Sequence, residues 1–286
     1  MTAPAKLNLF LRVLGRRPDG FHELESVMQT IDLCDRLSVE RTAGRDFDFT
    51  VAGRECPEDD GNLVVRAMRT YFSAMRRSFG LSVNLEKRIP IGAGLGGGSA
   101  DAAAMLIALN QLAEGAASKD EMEAMAAALG SDVPFFLAGG TAIARGRGER
   151  IEPLPARSQH RFCFVLYCPP VAVPTARIYS NLKLDLTIDK SSLVGFVRML
   201  DRPRSKGPPH FYNALERPFR EVYPELAVVQ DRISEETGHA FHVTGSGSAM
   251  FAAVSDPTEG ERAVSRLQAV AAGETYVCES LPGFPG

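Results

Sequence analysis

The chain has no CxxC pair, no basic excess and no apolar run of the roughly 18 residues needed to cross a bilayer. Each absence closes off a class of function. The five cysteines, Cys34, Cys56, Cys163, Cys168 and Cys278, are odd in number and scattered, which points to free thiols in a reducing compartment. Cys163 and Cys168 lie in one apparent strand at odd separation, so they point to opposite faces and cannot easily bridge. A net charge of −3 gives no electrostatic reason to expect a nucleic-acid partner. In the N-terminal "MTAPAKLNLFLRV" charges interrupt a short apolar run, which is not the layout of a signal peptide. A cytoplasmic protein without a membrane partner, a monomer or a weak homodimer, is the expectation. No repeat recurs at a fixed period.

What is present is an ordinary globular composition, 45% hydrophobic and 23% charged, in 286 residues. That length is long for one compact domain, so two are expected. "PAKLNLFLRV" alternates strictly, with Leu7, Leu9, Leu11 and Val13 on one face and Lys6, Asn8, Phe10 and Arg12 on the other. "RLSVE", "FDFTVAG" and "LSVNLEKRIP" read as further strands, and "NLVVRAMRTYFSAMRR" as a helix. Ser118 and Glu121 have capping-box spacing for a helix that stops at Gly130. The charged stretch 146–158 has two prolines and no apolar period, and it marks a boundary. Later come a strand over 161–168, a proline-rich loop region over 203–218, and a helix near 222–237. Two strands around "TGSGSA", a helix near 258–272 and the strand "TYVCES" close the chain. Strands and helices mix without a steady βαβ rhythm, so the fold class is α+β.

"RIPIGAGLGGGSADAAAMLIAL" (88–109) concentrates Gly92, Gly94, Gly96, Gly97 and Gly98 between a strand and an alanine-rich helix. Glycine is costly to order, so such a run needs a reason. One reason is an anion site, where unpaired N–H groups and the positive end of the helix dipole meet a phosphate that only a bare backbone lets approach. The others are a flexible turn or a close packing of helix on sheet. No lysine follows the glycines, which excludes the Walker pattern. At the spacing where a dinucleotide fold keeps its acidic residue there is only "QLAEGAASKDE", a loop and a helix start. No HRD or DFG occurs, which excludes a protein kinase.

"PIGAGLGGGSADAA" resembles the phosphate loop of the GHMP small-molecule kinases, among them galactokinase, homoserine kinase, mevalonate kinase and phosphomevalonate kinase. The segments 3–35, 129–149 and "VTGSGSAMF" at 243–251 narrow the likeness. They are similar to the branch of that family that phosphorylates the 2-hydroxyl of 4-diphosphocytidyl-2-C-methyl-D-erythritol in the non-mevalonate route to isoprenoid precursors. The resemblance implies an α+β, two-domain GHMP architecture with a cleft between an ATP-binding domain (1–152) and a C-terminal domain (153–286). It implies ATP and Mg²⁺, and a small-molecule substrate with a cytidine diphosphate group.

It also implies roles for individual residues. Lys6 and Asp132 become catalytic, Asp132 as general base and Lys6 beside the acceptor hydroxyl. Pro90, Ile91, Gly92, Ala93, Gly94, Leu95, Gly96, Gly97, Gly98, Ser99 and Ala100 become the ATP loop, with Asn62 on the adenine side and Ser99 a phosphate or Mg²⁺ contact. Asn8, Phe21, His22, Thr175 and Tyr179 become substrate contacts, with Phe21 and Tyr179 on opposite faces of the cytosine. The family often has tyrosine at the Phe21 position; stacking needs only the ring face. Bland readings stand beside these. Lys6 and Asn8 fit a solvent-exposed edge strand, Asp132 and Asn62 fit helix N-caps, and Phe21 and Tyr179 fit a core. Glu121 is explained by its capping box, and "TGSGSA" by a hairpin turn. No metal site is expected at His239 and His242, which lack partners at ligand spacing. The rival functions are a homoserine- or mevalonate-type kinase and a non-catalytic nucleotide-binding protein.

Overall fold

Strand β1 (Thr2–Arg16) lies inside a sheet, not at its edge. In the computed structural model, which describes residues 1–155, 161–183, 192–200 and 210–283, it pairs antiparallel with β2 (His22–Thr42) and parallel with β8 (Tyr212–Asn213). The edge-strand reading of Lys6 and Asn8 is therefore wrong: both are buried. The expected face assignment is also corrected beyond Asn8. A register shift between Asn8 and Phe10 adds a residue to the ladder, which turns every later side chain to the other face. Phe10 joins Leu7 and Leu9 in one apolar cluster, and Leu11 and Val13 enter another.

"RLSVE" is only the end of β2, which begins at His22. Its Leu24–Gln29 part pairs with β5 (Thr141–Gly146) and its Arg36–Thr42 part with β4 (Gly80–Lys87). β3 (Phe47–Gly53) runs parallel to β4. The boundary expected over 146–158 is in part a strand, β6 (Arg150–Pro153), paired with β5. An edge strand with most side chains in solvent shows no apolar period, which is why the pattern hid it. Residues 156–158 of that stretch lie outside the described residues.

Four helices pack on this sheet: α1 (Leu63–Met75), α2 (Gly97–Leu112), α3 (Lys119–Leu129) and α4 (Val133–Ala138). α2 buries Ala100, Ala102, Ala103 and Ala104, so its neighbours approach closely on both sides. α3 keeps its reciprocal Ser118–Glu121 capping box.

A second, antiparallel sheet runs β11 (Glu274–Glu279), β7 (Cys163–Cys168), β10 (Met250–Val254), β9 (His242–Val243). Cys163 and Cys168 fall in different clusters on its two faces, and none of the five cysteines forms a disulfide. With it go α5 (Thr175–Ser180), α6 (Leu193–Leu200), α7 (Glu216–Val222), α8 (Pro224–Thr237) and α9 (Pro257–Val270). The helix expected near 222–237 is α8, opened by Pro224, which has no N–H to donate, and α7 before it lies partly in the stretch expected as loop. Of the proline-rich stretch, 203–209 lies outside the described residues, and Pro218 is inside α7. One apolar cluster joins Leu7, Leu9 and Phe10 to Ala93 and Leu95 and to Phe164, Leu166 and Phe251. β1 is thereby clamped between the glycine loop and the second sheet. No helix among the described residues is long and apolar enough to cross a membrane.

Candidate active site

The glycines of 92–98 meet two structural demands. Gly92, Gly94 and Gly96 have φ of +71°, +80° and +72°, where a side chain is strained. A Cβ on Gly94 would stand 2.8 Å from the Gly247 carbonyl oxygen and 2.9 Å from that of Thr244; one on Gly96 would stand 2.9 Å from the Phe136 ring. Between these glycines Ala93 and Leu95 turn inward and are buried, as is Pro90, while Ile91 is exposed. The carbonyls of Ala93 and Leu95 accept from the backbone N–H of Ala249 (3.0 Å) and of Lys6 (2.9 Å). The loop is thus sewn to β1 and to the second glycine turn, 244–249. It leads into α2 through Gly96, an N-cap without a side-chain bond, so the first-turn amides of α2 have no side chain to satisfy them. Gly98 differs from the rest: a Cβ there would meet only Leu63 at 3.6 Å, so packing does not demand glycine.

Lys6 stands where these pieces meet. Its Nζ donates to Asn8 Oδ1 at 2.5 Å and lies 3.9 Å from Asp132 Oδ2. Asn8 is held in turn: its Nδ2 donates to Ser26 Oγ (2.9 Å) and its N–H to Thr244 Oγ1 (2.9 Å). Ser26 Oγ donates to the Phe10 carbonyl at 2.7 Å. Burial pulls the Lys6 ammonium below the ordinary lysine range, and the Asp132 charge opposes that. Asp132 does occupy the N-cap position of α4, with Pro134 in the first turn, but its side chain makes no capping bond. The carboxylate is 37% exposed and free to face Lys6 and the cavity.

That cavity, about 960 Å³, runs from the two glycine turns to an aromatic end. There the His22 and Tyr179 rings lie 5.0 Å apart. Burial, then the Asp132 charge, pushes the Tyr179 phenol up to about 12, so it stays protonated. Burial and the Arg16 charge lower His22, which leaves its imidazole neutral at pH 7. Phe21 is not core: it is 50% exposed, with the Arg147 guanidinium carbon 4.7 Å from its ring centre. Thr175 also lines the cavity, its hydroxyl 2.9 Å from that of Ser246. Lys6, Asn8, Phe21, His22, Asp132, Thr175 and Tyr179, drawn from four separate segments, therefore share one cavity.

Residues 62–140 match the family of GHMP kinases N terminal domain, and residues 198–273 that of GHMP kinases C terminal. A 4-diphosphocytidyl-2-C-methyl-D-erythritol kinase from Pelotomaculum thermopropionicum is 40% identical over 270 residues, covering 93% of this chain and 92% of that one. The chain belongs to the 4-diphosphocytidyl-2-C-methyl-D-erythritol kinase family. A crystal structure of 4-(cytidine 5'-diphospho)-2C-methyl-D-erythritol kinase superposes with a TM-score of 0.84 at 35% identity, covering 98% of this chain and 99% of that one. A homoserine kinase from Cytophaga hutchinsonii, at 19% identity and a TM-score of 0.67 over 99% and 94% of the chains, shares the fold.

One of the expected nucleotide-side residues of this kinase has a structural duty. Asn62 caps α1, its Oδ1 accepting from Val64 N–H (3.0 Å) while its Nδ2 donates to the Pro57 carbonyl (2.7 Å). Ser99 sits in the first turn of α2 with its side chain half-buried. Glu121 is occupied by Ser118, at 2.7 Å and 2.8 Å.

Sequence reading missed a buried ionic cluster behind the glycine loop of the kinase. Lys87 Nζ donates to Asp35 Oδ2 and, at 2.7 Å, to Asp101 Oδ2. Asp35 Oδ1 accepts from the backbone N–H of Arg88 (2.6 Å) and Ile89 (2.8 Å), which fixes the entry to the loop. Asp101 Oδ1 has no hydrogen-bond partner. A clue was available: Asp101 is an acid inside "SADAAAMLIAL", with nothing polar at helical spacing to excuse it.

Two carboxylates sharing one ammonium leave an excess negative charge in the interior. Burial first, then Asp35, push Asp101 up to about 7, against the pull of Lys87. The folded state therefore binds a proton that the unfolded chain releases near pH 4. Stability from this group is present below about pH 4 and is lost as pH rises through about 7. Asp101→Asn imitates the protonated acid. Its melting temperature, relative to the parent, should rise from pH 5 to pH 8; a difference independent of pH would contradict the assignment.

Proposed function

We propose that this chain transfers the γ-phosphoryl group of ATP to the 2-hydroxyl of 4-diphosphocytidyl-2-C-methyl-D-erythritol, giving the 2-phosphate and ADP in non-mevalonate isoprenoid synthesis in the cytoplasm. The observation that carries this reading is the 3.9 Å approach of Lys6 and Asp132 where two glycine turns meet, in a cavity with an aromatic far end. Residues 1–152 are taken as the ATP-binding domain and 153–286 as the domain that closes the cleft.

The loop 90–100 receives the triphosphate on the first-turn amides of α2, where Gly98 is exposed. Asn62 contributes on the adenine side by fixing the start of α1. Phe21 and Tyr179 take the two faces of the cytosine, and the neutral His22 reads its edge; Asn8 and Thr175 orient the acceptor. An alkyl alcohol is a far weaker acid than a carboxylic acid, so Asp132 does not ionise it beforehand. It accepts the proton late, as the new O–P bond forms in a loose transition state, while Lys6 neutralises charge on the oxygens in flight. Catalysis is then chiefly positioning and charge complementarity.

The donor set suits Mg²⁺ held mainly by ATP. Among the described residues no three His, Cys, Asp or Glu side chains cluster as a metal site, and Mg²⁺ commonly keeps phosphate and water ligands. Ser99 is the residue that would reach it. When bound, the ion neutralises phosphate charge.

The test is ADP release by the purified protein with the cytidyl substrate, homoserine or mevalonate as acceptor. Release with the cytidyl substrate alone is expected. Turnover of homoserine or mevalonate at a comparable rate, or none with the cytidyl substrate, would refute the reading.

A further inference from the structure

Resting on the reading that a cytidine diphosphate group fills this cavity, we propose that Arg147, with Arg16, binds the diphosphate of the acceptor and selects nucleotide-linked substrates over the nucleoside.

Charge accounting in the cavity leads there. The cavity is lined by three basic side chains, Lys6, Arg16 and Arg147, and by one acid, Asp132. Lys6 and Asp132 face each other, so two positive charges remain uncompensated. Three neighbouring arginines are neutralised: Arg17 by Asp19 and Glu23, Arg145 by Glu25 and Glu152, and Arg150 by Glu23. Among the described residues, the side chains of Arg16 and Arg147 have no ion pair within 4.0 Å and no hydrogen bond. Two acids stand near Arg147: Glu149 Oε2 accepts from its backbone N–H at 2.6 Å, and Asp19 feels its charge but is already held by Arg17 and by the Phe21 N–H at 3.1 Å.

Position favours Arg147 as the stronger of the two. It opens the turn from β5 to β6, is half-buried, and lies across the Phe21 ring at 4.7 Å. Stacking on an aromatic face holds a guanidinium plane while leaving its N–H edges free. Those edges form a planar fork that suits two phosphate oxygens. Arg16 is exposed and close enough to His22 to depress its protonation, which puts a second cation beside the base. The glycine loop serves ATP in the proposed reaction, so the acceptor's own diphosphate needs its counter-charge from elsewhere, and these two residues supply it.

The experiment compares wild type, Arg147→Gln, Arg147→Lys and Arg16→Gln by calorimetric titration with CDP, cytidine and a non-hydrolysable ATP analogue. For Arg147→Gln the dissociation constant for CDP should rise by about tenfold or more, the loss of one charge-assisted contact. Cytidine should bind nearly as before and the ATP analogue unchanged, which also reports on folding. Arg147→Lys should recover part of the CDP affinity, and Arg16→Gln should show a smaller loss of the same kind. With the complete substrate the loss should fall on KM more than on kcat. Equal weakening of CDP and cytidine would mean that Arg147 only props Phe21, and unchanged CDP affinity would mean that it faces solvent; either overturns the proposal. Failure of the wild-type protein to bind both CDP and cytidine would overturn the substrate reading itself, a result distinct from either.

Discussion

Lys6→Met lowers turnover with the cytidyl substrate by about 10²–10⁴-fold, the range for losing a charge-stabilising or proton-transfer group. The affinity for an ATP analogue should change little, because the glycine loop keeps its anchors at Ala249 and through the Lys6 backbone N–H, which methionine retains. Asp132→Asn should fall in the same range. The cap position of Asp132 carries no side-chain bond, so the substitution removes no structural contact there. The double variant should lose much less than the product of the single effects, since the two groups face one reacting centre at 3.9 Å. Steady-state rates with each purified variant decide the matter. Near-normal turnover in either single variant removes that residue from the chemistry.

Lys87→Met should be the most damaging substitution for stability. It leaves Asp35 and Asp101, both almost fully buried, without their shared ammonium. Breaking a buried pair by removing one partner costs about 3–5 kcal/mol, chiefly for the charge left behind. Here two acids are stranded, although Asp101 can take up a proton. The loss should also reach the loop, because Asp35 ties down the backbone of Arg88 and Ile89 just before Pro90. Urea unfolding would register the loss as a lower midpoint, and adding Asp101→Asn to Lys87→Met should restore part of it. A Lys87→Met protein as stable as the parent would mean that the cluster contributes no net stability.

The substrate end of the site was the least legible in local pattern. Phe21 and Tyr179 have the composition of core residues, yet Phe21 stands in solvent at 50% exposure. Their place became readable only through likeness to a family. Arg147 offered nothing to read, since an arginine in a charged turn resembles any surface residue until the fold lays it over Phe21. The glycine loop was legible as a strand–turn–helix, and the choice between anion site and close packing is resolved in part: the approach of Gly94 to Gly247 makes packing one real cause.

Periodicity and capping are local, and the sequence alone determined what depends on them: the strand character of residues 4–13, helices α1 and α3 with their caps, the glycine turn and the α+β class. Tertiary structure decided what depends on distant segments meeting. The bulge after Asn8 sends Leu11 to the cavity side, β8, from two hundred residues on, pairs with Phe10 and Leu11, and the two glycine turns close over Lys6 at Gly96 and Gly245. Asp132 comes within 3.9 Å of that lysine across a separation that no local pattern encodes. An amine and a carboxylate acquire their chemistry from burial and proximity, and both are properties of the assembled fold.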